Sequence, residues 1–453
     1  MLSTNTKGKN MTVISVIVGS TREGRFSEKP AKWILQHLKK HEGVDVRLPD
    51  LRDFPMPFFD QPVTPATPGR PAFEHEVVRK WIAAGLSLTA LFVFFLLGCE
   101  AAVAEDATQP APQEYPKLGL LRERDLSPFG FLRLDMRPAH AVWAPPGSWG
   151  VEVLLGYQNT WVMSPNVQQY LESLPGRRRL GPADVAAIRA MPGEAYLVDL
   201  ELGLVDVTLH YKLAEHWSVN ATISGMRYSG GFLDGTIEDF HKAFGLSSFG
   251  RPAVARNSVN VILDLKSANT PFLLNAPPDG GVLDPTFGVR YSVAAAPSPW
   301  NLVLESAVKV PIDGQREFLS TGNTDVGLQA TLQRFAGRHA GYVSAAAVRT
   351  KGSALTSNDR TQIVPTYILG YEYSVSQRTG VIAQYYISPS VLTHEDTDLE
   401  GLLKTKYQIS VGVRHRVDAS VWTFAITENT GNFDNTPDVG FQIGWTYSPA
   451  FRR

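Results

Sequence analysis

The stretch that decides the fold is VGLQATLQ at residues 326–333. Its apolar residues alternate with small or polar ones, as they also do in YQISVGVR at 407–414 and FQIGWTY at 441–447. Successive side chains of a β-strand point to opposite faces, so a period of two predicts strands with one apolar and one polar face. The polar faces carry Gly, Thr, Gln and charged residues such as Asp206 and Glu305.

This period begins near residue 148, continues to the C-terminus and predicts twelve strands. They are expected near 149–161, 196–213, 216–228, 286–295, 300–310, 323–335, 339–350, 362–374, 379–388, 404–416, 420–428 and 439–447. The connections after even-numbered strands are short, and those after odd-numbered strands are long. An even strand count with this alternation of turns and loops is typical of an antiparallel up-and-down barrel.

Alternation alone does not separate a soluble β-sandwich from a membrane barrel, because the apolar face points to a core in one and to lipid in the other. The loop pattern favours the barrel. DVGFQIGW at 438–445 is also similar to the C-terminal signal that the barrel assembly machinery reads, although the chain ends on Phe451-Arg452-Arg453 rather than on an aromatic residue. We therefore expect a transmembrane barrel over 148–453, with outer-membrane lipid and the barrel assembly machinery as partners.

Residues 79–104 have the pattern of an export signal: two basic residues, an uncharged apolar run over 82–97 and a small-x-small exit that ends at Ala104. Three interpretations stay open. Cleavage after Ala104 is the one we favour. Lipidation at Cys99, which follows Leu-Leu-Gly as in a bacterial lipobox, is the second, and an uncut membrane helix is the third. Cys99 is the single cysteine, which excludes an intramolecular disulfide.

This signal divides the chain. Residues 1–78 precede it, and residues 105–147 are expected to form a periplasmic segment ahead of the barrel. The barrel would lie in the outer membrane of a Gram-negative bacterium, and the N-terminal fragment would stay cytosolic or be absent from the mature protein.

Residues 12–19, TVISVIVG, form a continuous apolar run of the kind found in buried parallel strands. A polar loop, Gly19-Ser20-Thr21-Arg22, follows, then apolar residues at helical spacing and a second predicted strand at 44–48. Such a loop either binds a phosphate at the helix N-terminus or only caps the helix, and the spacing leaves both interpretations open.

Residues 11–81, with VGSTREGRFSEKPAKWILQHL and DLRDFPMPFFDQP, resemble the N-terminal part of the NADPH-dependent FMN reductases, which have a flavodoxin-like fold. The resemblance implies that Gly19, Ser20, Thr21 and Arg22 match the loop that holds the FMN phosphate. The family's later loop that binds the flavin ring, and its later strands, are missing here. Because hydride transfer needs both rings in position, we expect an incomplete α/β fragment over 1–78 without reductase activity. FMN would bind only if this fragment folds.

Residues 115–447 resemble an uncharacterised family of proteobacterial outer-membrane proteins, known as a domain of unknown function. The stretches that carry the resemblance are DLSPFG at 125–130, YQNTW at 157–161, GGFLDG at 230–235, TEN at 427–429 and NFDNTPD at 432–438. Since the family has no assigned activity, the resemblance implies a location and a fold only.

The sequence offers weak candidates for chemistry on the barrel. A net charge of −1 provides no basic field for nucleic acid. His210 and Asp206 share a strand face, but an acid–base role lacks an identifiable nucleophile. Two carboxylate clusters are compatible with calcium, but they lack EF-hand spacing and are better explained by turn chemistry. They are Asp234 with Glu238 and Asp239, and Glu428 with Asp434 and Asp438. We therefore expect neither a catalytic nor a metal site.

Two long connections contain helical patterns, at 182–191 and at Ile237, Phe240 and Phe244. The second is either a helix that narrows the barrel mouth or an ordered surface loop. The leading hypothesis is an outer-membrane barrel that serves as a channel, transporter or structural component, without a specified solute. The alternatives are an FMN reductase fused to an exported domain and a lipid-anchored periplasmic binding protein.

Overall fold

The computed structural model describes residues 12–15, 31–32, 35–36, 39–40, 44–53, 117–127, 130, 132–139, 144–245, 247–268, 272–294, 298–353, 356–357 and 359–448. The chain divides into two units, residues 1–111 and 112–453. The export signal at 79–104, with Cys99 and Ala104, and the loop Gly19 to Arg22 lie outside these ranges.

In the first unit, the strands Thr12–Ser15 and Val44–Arg47 pair in parallel, with Thr12 opposite Val44. A short 3-10 helix, Leu51–Asp53, follows. Parallel pairing requires a crossover between the two strands, which agrees with the strand, loop, helix, strand order predicted from the sequence.

In the described part of the second unit, twelve antiparallel strands form a closed barrel. They are β1 Trp149–Met163, β2 Ala195–Lys212, β3 Trp217–Ser229, β4 Thr286–Ser292, β5 Trp300–Lys309, β6 Asp325–Ala336, β7 His339–Lys351, β8 Thr361–Ser374, β9 Thr379–Ser388, β10 Lys406–Val417, β11 Ser420–Asn429 and β12 Val439–Tyr447. Each strand pairs with the next along the chain, and β12 pairs with β1, which closes the sheet and removes its edges. The predicted number, order and direction of the strands are confirmed.

The two ends of the barrel differ. At the end we term the turn end, the connections β2–β3, β6–β7, β8–β9 and β10–β11 are tight, and β1 begins there. At the loop end, the connections contain four α-helices among the described residues: α1 Pro165–Glu172, α2 Pro182–Arg189, α3 Asp234–Phe244 and α4 Glu400–Leu403. The predicted helical segments correspond to α2 and α3. In the ranges that the structure covers, no helix has both the length and the apolar composition needed to cross a bilayer.

The β3–β4 connection also contributes short strands to the wall. Asn260–Asp264 pairs with the first residues of β2, Leu273–Leu274 pairs with Asn260–Asp264, and Gly281–Val282 pairs with β3. β2 is buried without interruption from 195 to 202. This part of the strand lies beyond the apolar band, where helices and loops cover both of its faces.

The barrel wall is apolar outside and polar inside. Outward side chains such as Ile223, Leu328 and Ile363 are 62%, 64% and 69% exposed, whereas the inward Thr331 and Glu372 are fully buried. This arrangement is the reverse of that in a soluble protein and is typical of a wall that faces lipid.

Aromatic side chains border this apolar surface at both ends. At the turn end, the ring centroids of Trp149 and Tyr211 lie 4.5 Å apart. At the loop end, Tyr157 stacks on Phe232 at 5.0 Å. The path along β1 from 149 to 157 is roughly 26 Å at ~3.3 Å per residue, and at a tilt of ~40° it spans roughly 20 Å of the ~25 Å apolar band of outer-membrane barrels.

Candidate functional site

The barrel lumen is filled by the chain that precedes β1. We term the described residues 117–127, 130 and 132–139 the plug segment. Its apolar side chains are at most 5% exposed at Leu118, Leu120, Leu121, Leu134 and Met136, although the segment contains no helix or strand. Residues 105–147 were predicted to be a periplasmic segment, but the described residues between 117 and 139 lie inside the barrel instead. The inward faces of the strands supply the hydrogen-bond and ion-pair partners that a helix or sheet within this stretch would otherwise provide.

The first limb of the plug segment, residues 117–127, runs from the turn end to the loop end. Lys117 Nζ donates to Ser374 Oγ at 3.1 Å, at the turn-end terminus of β8. Asp125 pairs with Lys406, the first residue of β10 at the loop end. The limb therefore traverses the lumen.

The second limb, residues 132–139, returns toward the turn end. Leu134 N donates to Asp325 Oδ2 at 2.8 Å at the loop-end terminus of β6, and Ala139 N donates to Gln329 Oε1 at 2.8 Å, further along the same strand. Both limbs thus fill the lumen side by side.

The limbs are connected to each other. Arg133 Nη2 donates to Asp125 Oδ2 at 2.9 Å, and Arg122 Nη1 donates to the carbonyl oxygen of Pro138 at 2.8 Å. The plug segment is therefore one folded-back element rather than two independent strands of chain.

Two wall glutamines bind the main chain of the plug segment with both ends of their amides. Gln384 accepts from Leu121 N at 2.9 Å and donates to Leu121 O at 3.3 Å. Gln329 accepts from Ala139 N at 2.8 Å and donates to Met136 O at 2.7 Å. Buried peptide groups need such partners, and here the wall supplies them instead of a helix or sheet.

Charged wall residues bind the main chain in the same way near the turn end. Glu372 accepts from Leu118 N at 2.9 Å and from Gly119 N at 3.1 Å. Arg414 donates to Leu120 O at 2.6 Å and also to Gly119 O. These contacts are made to backbone N–H and C=O groups. They therefore fix the path of the main chain and do not depend on which side chains the segment carries.

Inward-facing glycines provide room for the apolar side chains of the plug segment. A Cβ atom added at Gly327 would lie 2.5 Å from Met136 Sδ, and one at Gly412 would lie 3.0 Å from Leu121 Cδ2. A Cβ at Gly370 would overlap the end of Leu120. The wall is therefore shaped to its plug.

Arginines of the plug segment neutralise acidic residues of β1 and β2. Arg122 Nε lies 3.0 Å from Glu152 Oε1, while Arg137 Nη1 and Arg124 Nη1 lie 3.1 and 3.3 Å from the two oxygens of Asp206. All five side chains are at most 12% exposed. A buried charge is tolerated when it is paired with an opposite charge. Removal of one partner leaves the other uncompensated and typically lowers the stability by about 3–5 kcal/mol.

This cluster also contains the pair considered for acid–base chemistry. His210 Nε2 lies 3.8 Å from Glu152 Oε2, and both carboxylate oxygens of Asp206 are bound by arginines. Asp206 thus belongs to an ion-pair network of the lumen, and His210 lies beside it.

Other wall charges are paired within the wall. Glu305 of β5 lies directly opposite Arg290 of β4, and Arg290 Nη2 is 2.8 Å from Glu305 Oε2. Lys309 Nζ lies 2.8 Å from Asp325 Oδ2 and also donates to the plug segment at Leu132 O. All four side chains are buried.

One cavity in the described lumen is small. A cavity of about 40 Å³ lies beside Glu123, Arg124, Gln158, Gln408 and Thr427. It is large enough for water and too small for an organic solute.

The loop end is covered by connections held together by ion pairs. Arg251 Nη1 lies 2.6 Å from Asp234 Oδ1, and Arg251 Nη2 lies 2.8 Å from Asp438 Oδ2, which joins two connections. Glu238 of α3 is bound by Arg177 and Arg256. Partial burial opposes ionisation, but the hydrogen bonds from these arginines hold the pKa of Glu238 below its ordinary value.

Three of the carboxylates considered for calcium are therefore paired with arginines instead: Asp234, Glu238 and Asp438. The described residues contain no group of three or more His, Cys, Asp or Glu side chains suited to a metal ion. In α3, Ile237 is buried while Phe240 stays 51% exposed, so the helix lies on the surface of the covering loops.

A family model described as "Protein of unknown function (DUF3187)" matches residues 177–448, more than half of the chain. The chain belongs to this family. A second model, "NADPH-dependent FMN reductase", matches residues 12–92. Both resemblances predicted from the sequence are confirmed. The DUF3187 family carries no assigned role. Its member here has the closed, outwardly apolar architecture of an outer-membrane β-barrel.

Among curated proteins, none matches this DUF3187 sequence. Solved structures that are similar include the COG4313 outer membrane channel from Pseudomonas putida F1, at 10% identity and a TM-score of 0.42, covering 69% of this chain and 100% of that one. The NanC porin has 8% identity, a TM-score of 0.34 and coverage of 66% and 98%. The P. putida toluene transporter TodX has 10% identity, a TM-score of 0.31 and coverage of 68% and 91%. At these values the comparison adds nothing to the barrel that the strand pairing already establishes.

Proposed function

We propose that this protein is an outer-membrane channel of a Gram-negative bacterium and that the plug segment closes it. Bacterial barrels have short turns in the periplasm and long loops outside. The turn end would then face the periplasm and the loop end the exterior. The closed sheet, the apolar outward face and the aromatic residues at both ends support this location.

The observation that carries the channel hypothesis is the way in which the plug segment is held. Its peptide groups bind polar wall side chains, of which Gln329, Gln384, Glu372 and Arg414 are examples. If the segment moves out, water can replace each of these bonds, at a net cost of ~0.5–1.5 kcal/mol for a neutral bond and ~1.5–3 kcal/mol for a bond to a charged group. The polar part of this contact can therefore be replaced by water, whereas the burial of the apolar side chains of the plug segment favours the closed state.

The charged residues that line the lumen favour a polar solute, but they do not identify it. After the plug segment leaves, Glu152, Asp206 and Glu372 would face the pathway together with Lys406 and Arg414. Because both signs of charge would be present, we expect neither cations nor anions to be strongly excluded.

The test is the conductance of purified protein in planar bilayers. We expect wild-type protein to be closed nearly all the time and a variant without residues 117–139 to conduct steadily. Heat-modifiable migration on a gel checks that the variant barrel is folded. A folded deletion variant that stays silent would contradict the proposal.

We also propose that residues 1–104 are absent from the mature protein because the signal is cleaved after Ala104, with lipidation at Cys99 as the alternative. The strand β12, which includes most of 438–445, supports recognition by the barrel assembly machinery, because it closes the barrel against β1. Mass spectrometry of the N-terminus from outer-membrane fractions distinguishes a start at Glu105 from a lipid-modified Cys99.

For residues 12–92 we infer no FMN reductase activity, although Gly19, Ser20, Thr21 and Arg22 match the phosphate loop of that family. The family match ends at residue 92, before the loop that binds the flavin ring in that family would occur. Full-length protein that bound FMN and oxidised NADPH would contradict this inference.

A further inference from the structure

The outward wall of the barrel contains a groove of about 580 Å³, within the ~300–1,000 Å³ typical of ligand sites. It extends over β11, β12, β1, β2 and β3, and its sides are apolar. Leu155, Val205 and Ile443 line it and are 47%, 43% and 47% exposed. The floor is formed at Gly203 of β2 and Gly225 of β3, which pair with outward-facing neighbours and carry no side chain.

Arg227 stands at the edge of this groove. It follows Gly225 by two residues, so both face outward, and it pairs directly with Gly203. Its side chain is exposed and makes no hydrogen bond or ion pair with any residue in the described part of the chain. An unpaired cation on a lipid-facing wall is costly in hydrocarbon and is tolerated near the interface, where anionic headgroups are available.

The position of Arg227 agrees with such a partner. It lies two residues before Ser229, the last residue of β3 at the loop end. In the orientation proposed above, this is the level of the outer-leaflet headgroups. A guanidinium group binds phosphate through two parallel hydrogen bonds, which suits a phosphorylated lipid above an apolar groove.

We propose that this groove binds one lipopolysaccharide molecule, with a lipid A phosphate on Arg227 and an acyl chain over Gly203 and Gly225. The inference rests on the outer-membrane location proposed above. It adds a lipid site on the outside of the wall, separate from the plugged lumen.

The chain provides a matched control in Arg349 of β7. This residue is also exposed, faces outward and lies two residues before the loop-end terminus of its strand, Lys351. Its cross-strand neighbours are Val326 and Ile363, whose side chains are 44% and 69% exposed, so bulky groups stand where the groove has glycine. A substitution at Arg349 removes the same charge without a groove beside it.

The experiment compares wild-type, Arg227→Gln, Arg349→Gln and Gly225→Leu proteins purified from outer membranes in their mature form. After delipidation, lipopolysaccharide or phosphatidylglycerol is added, and bound lipid is counted by native mass spectrometry. An added Cβ at Gly225 meets only the Gly281 carbonyl oxygen, at 4.0 Å, so leucine there fills the groove without disturbing the sheet.

We expect wild-type protein and Arg349→Gln to retain one lipopolysaccharide. Arg227→Gln should bind it roughly tenfold more weakly, the loss of a charge-assisted contact, and Gly225→Leu should bind it weakly as well. Equal binding by Arg227→Gln and Arg349→Gln would overturn the proposal, as would equal binding of phosphatidylglycerol. If Gly225→Leu does not fold, the comparison of Arg227→Gln with Arg349→Gln tests the proposal by itself.

Failure of the channel proposal would be detected by measurements other than lipid binding. Density-gradient fractionation reports the location of the protein, and bilayer conductance reports the plug, whereas lipid binding in detergent depends on the groove alone.

Discussion

Two sides of the lumen carry similar buried charges but neutralise them differently. On β4 and β5, Arg290 and Glu305 are cross-strand partners within the wall. On β1 and β2, Glu152 and Asp206 are neutralised by arginines of the plug segment. The direct ion pair on one side is therefore formed within the wall, and the direct ion pairs on the other side are formed only with the plug segment. The difference indicates which contacts hold the lumen closed and which only stabilise the barrel.

The strongest way to break this comparison is to remove charge on both sides. We expect Arg122→Ala with Arg137→Ala to leave Glu152 and Asp206 short of cations. The cost of about 3–5 kcal/mol per broken pair favours a hydrated lumen and frequent opening. Arg290→Gln should lower the stability of the barrel but leave it closed. Conductance in planar bilayers and heat-modifiable migration separate the two effects. Frequent opening of Arg290→Gln would remove the distinction.

A second comparison uses glycines of the inward face. Gly370→Ala should displace Leu120 and increase opening, because overpacking typically costs about 1–3 kcal/mol. At Gly444, an added Cβ meets wall atoms, with Thr423 Cβ at 3.3 Å and Leu154 Cδ1 at 3.7 Å. Gly444→Ala should therefore leave the conductance unchanged. Equal opening in the two variants would show that general strain, and not the plug, is responsible.

The smallest expected effect comes from hydrogen bonds on β6. Gln329→Leu removes two bonds to the plug segment and should raise the open fraction modestly, by roughly 1–3 kcal/mol of lost plug stabilisation. Thr331→Val, two residues further on the same inward face, removes a bond to Ser344 of the wall. It should not change opening. Bilayer recordings of both proteins, at matched folded fractions, sharpen the contrast between plug contacts and wall contacts.

The sequence predicted the wall well and the plug not at all. The strands follow from a period of two, which is a local property, and the inward positions of Asp206 and Glu305 follow from the same alternation. The plug segment has no period, because its partners lie far along the chain: Leu118 and its acceptor Glu372 are separated by 254 residues. Nothing local distinguishes such a segment from a linker.

One signal for the plug was nevertheless present. The stretch LLRERDLSPFGFLRLDMR at 120–137 contains four arginines between apolar residues. The alternation along β1 and β2 places Glu152 and Asp206 on the inward face. A buried acid needs a cationic partner, and the arginines ahead of β1 were available. Helix α1, Pro165–Glu172, was also missed.

The most direct test of the central claim is a reversible lock between plug and wall. A Leu120→Cys/Gly370→Cys pair places two thiols where the side chain of Leu120 meets Gly370, and it is introduced into the Arg122→Ala/Arg137→Ala protein. Conductance is then recorded before and after reduction. Closure of the plug segment predicts a silent oxidised protein that opens on reduction. Equal conductance in both states, with the disulfide verified by mass spectrometry, would show that the plug segment does not close the lumen.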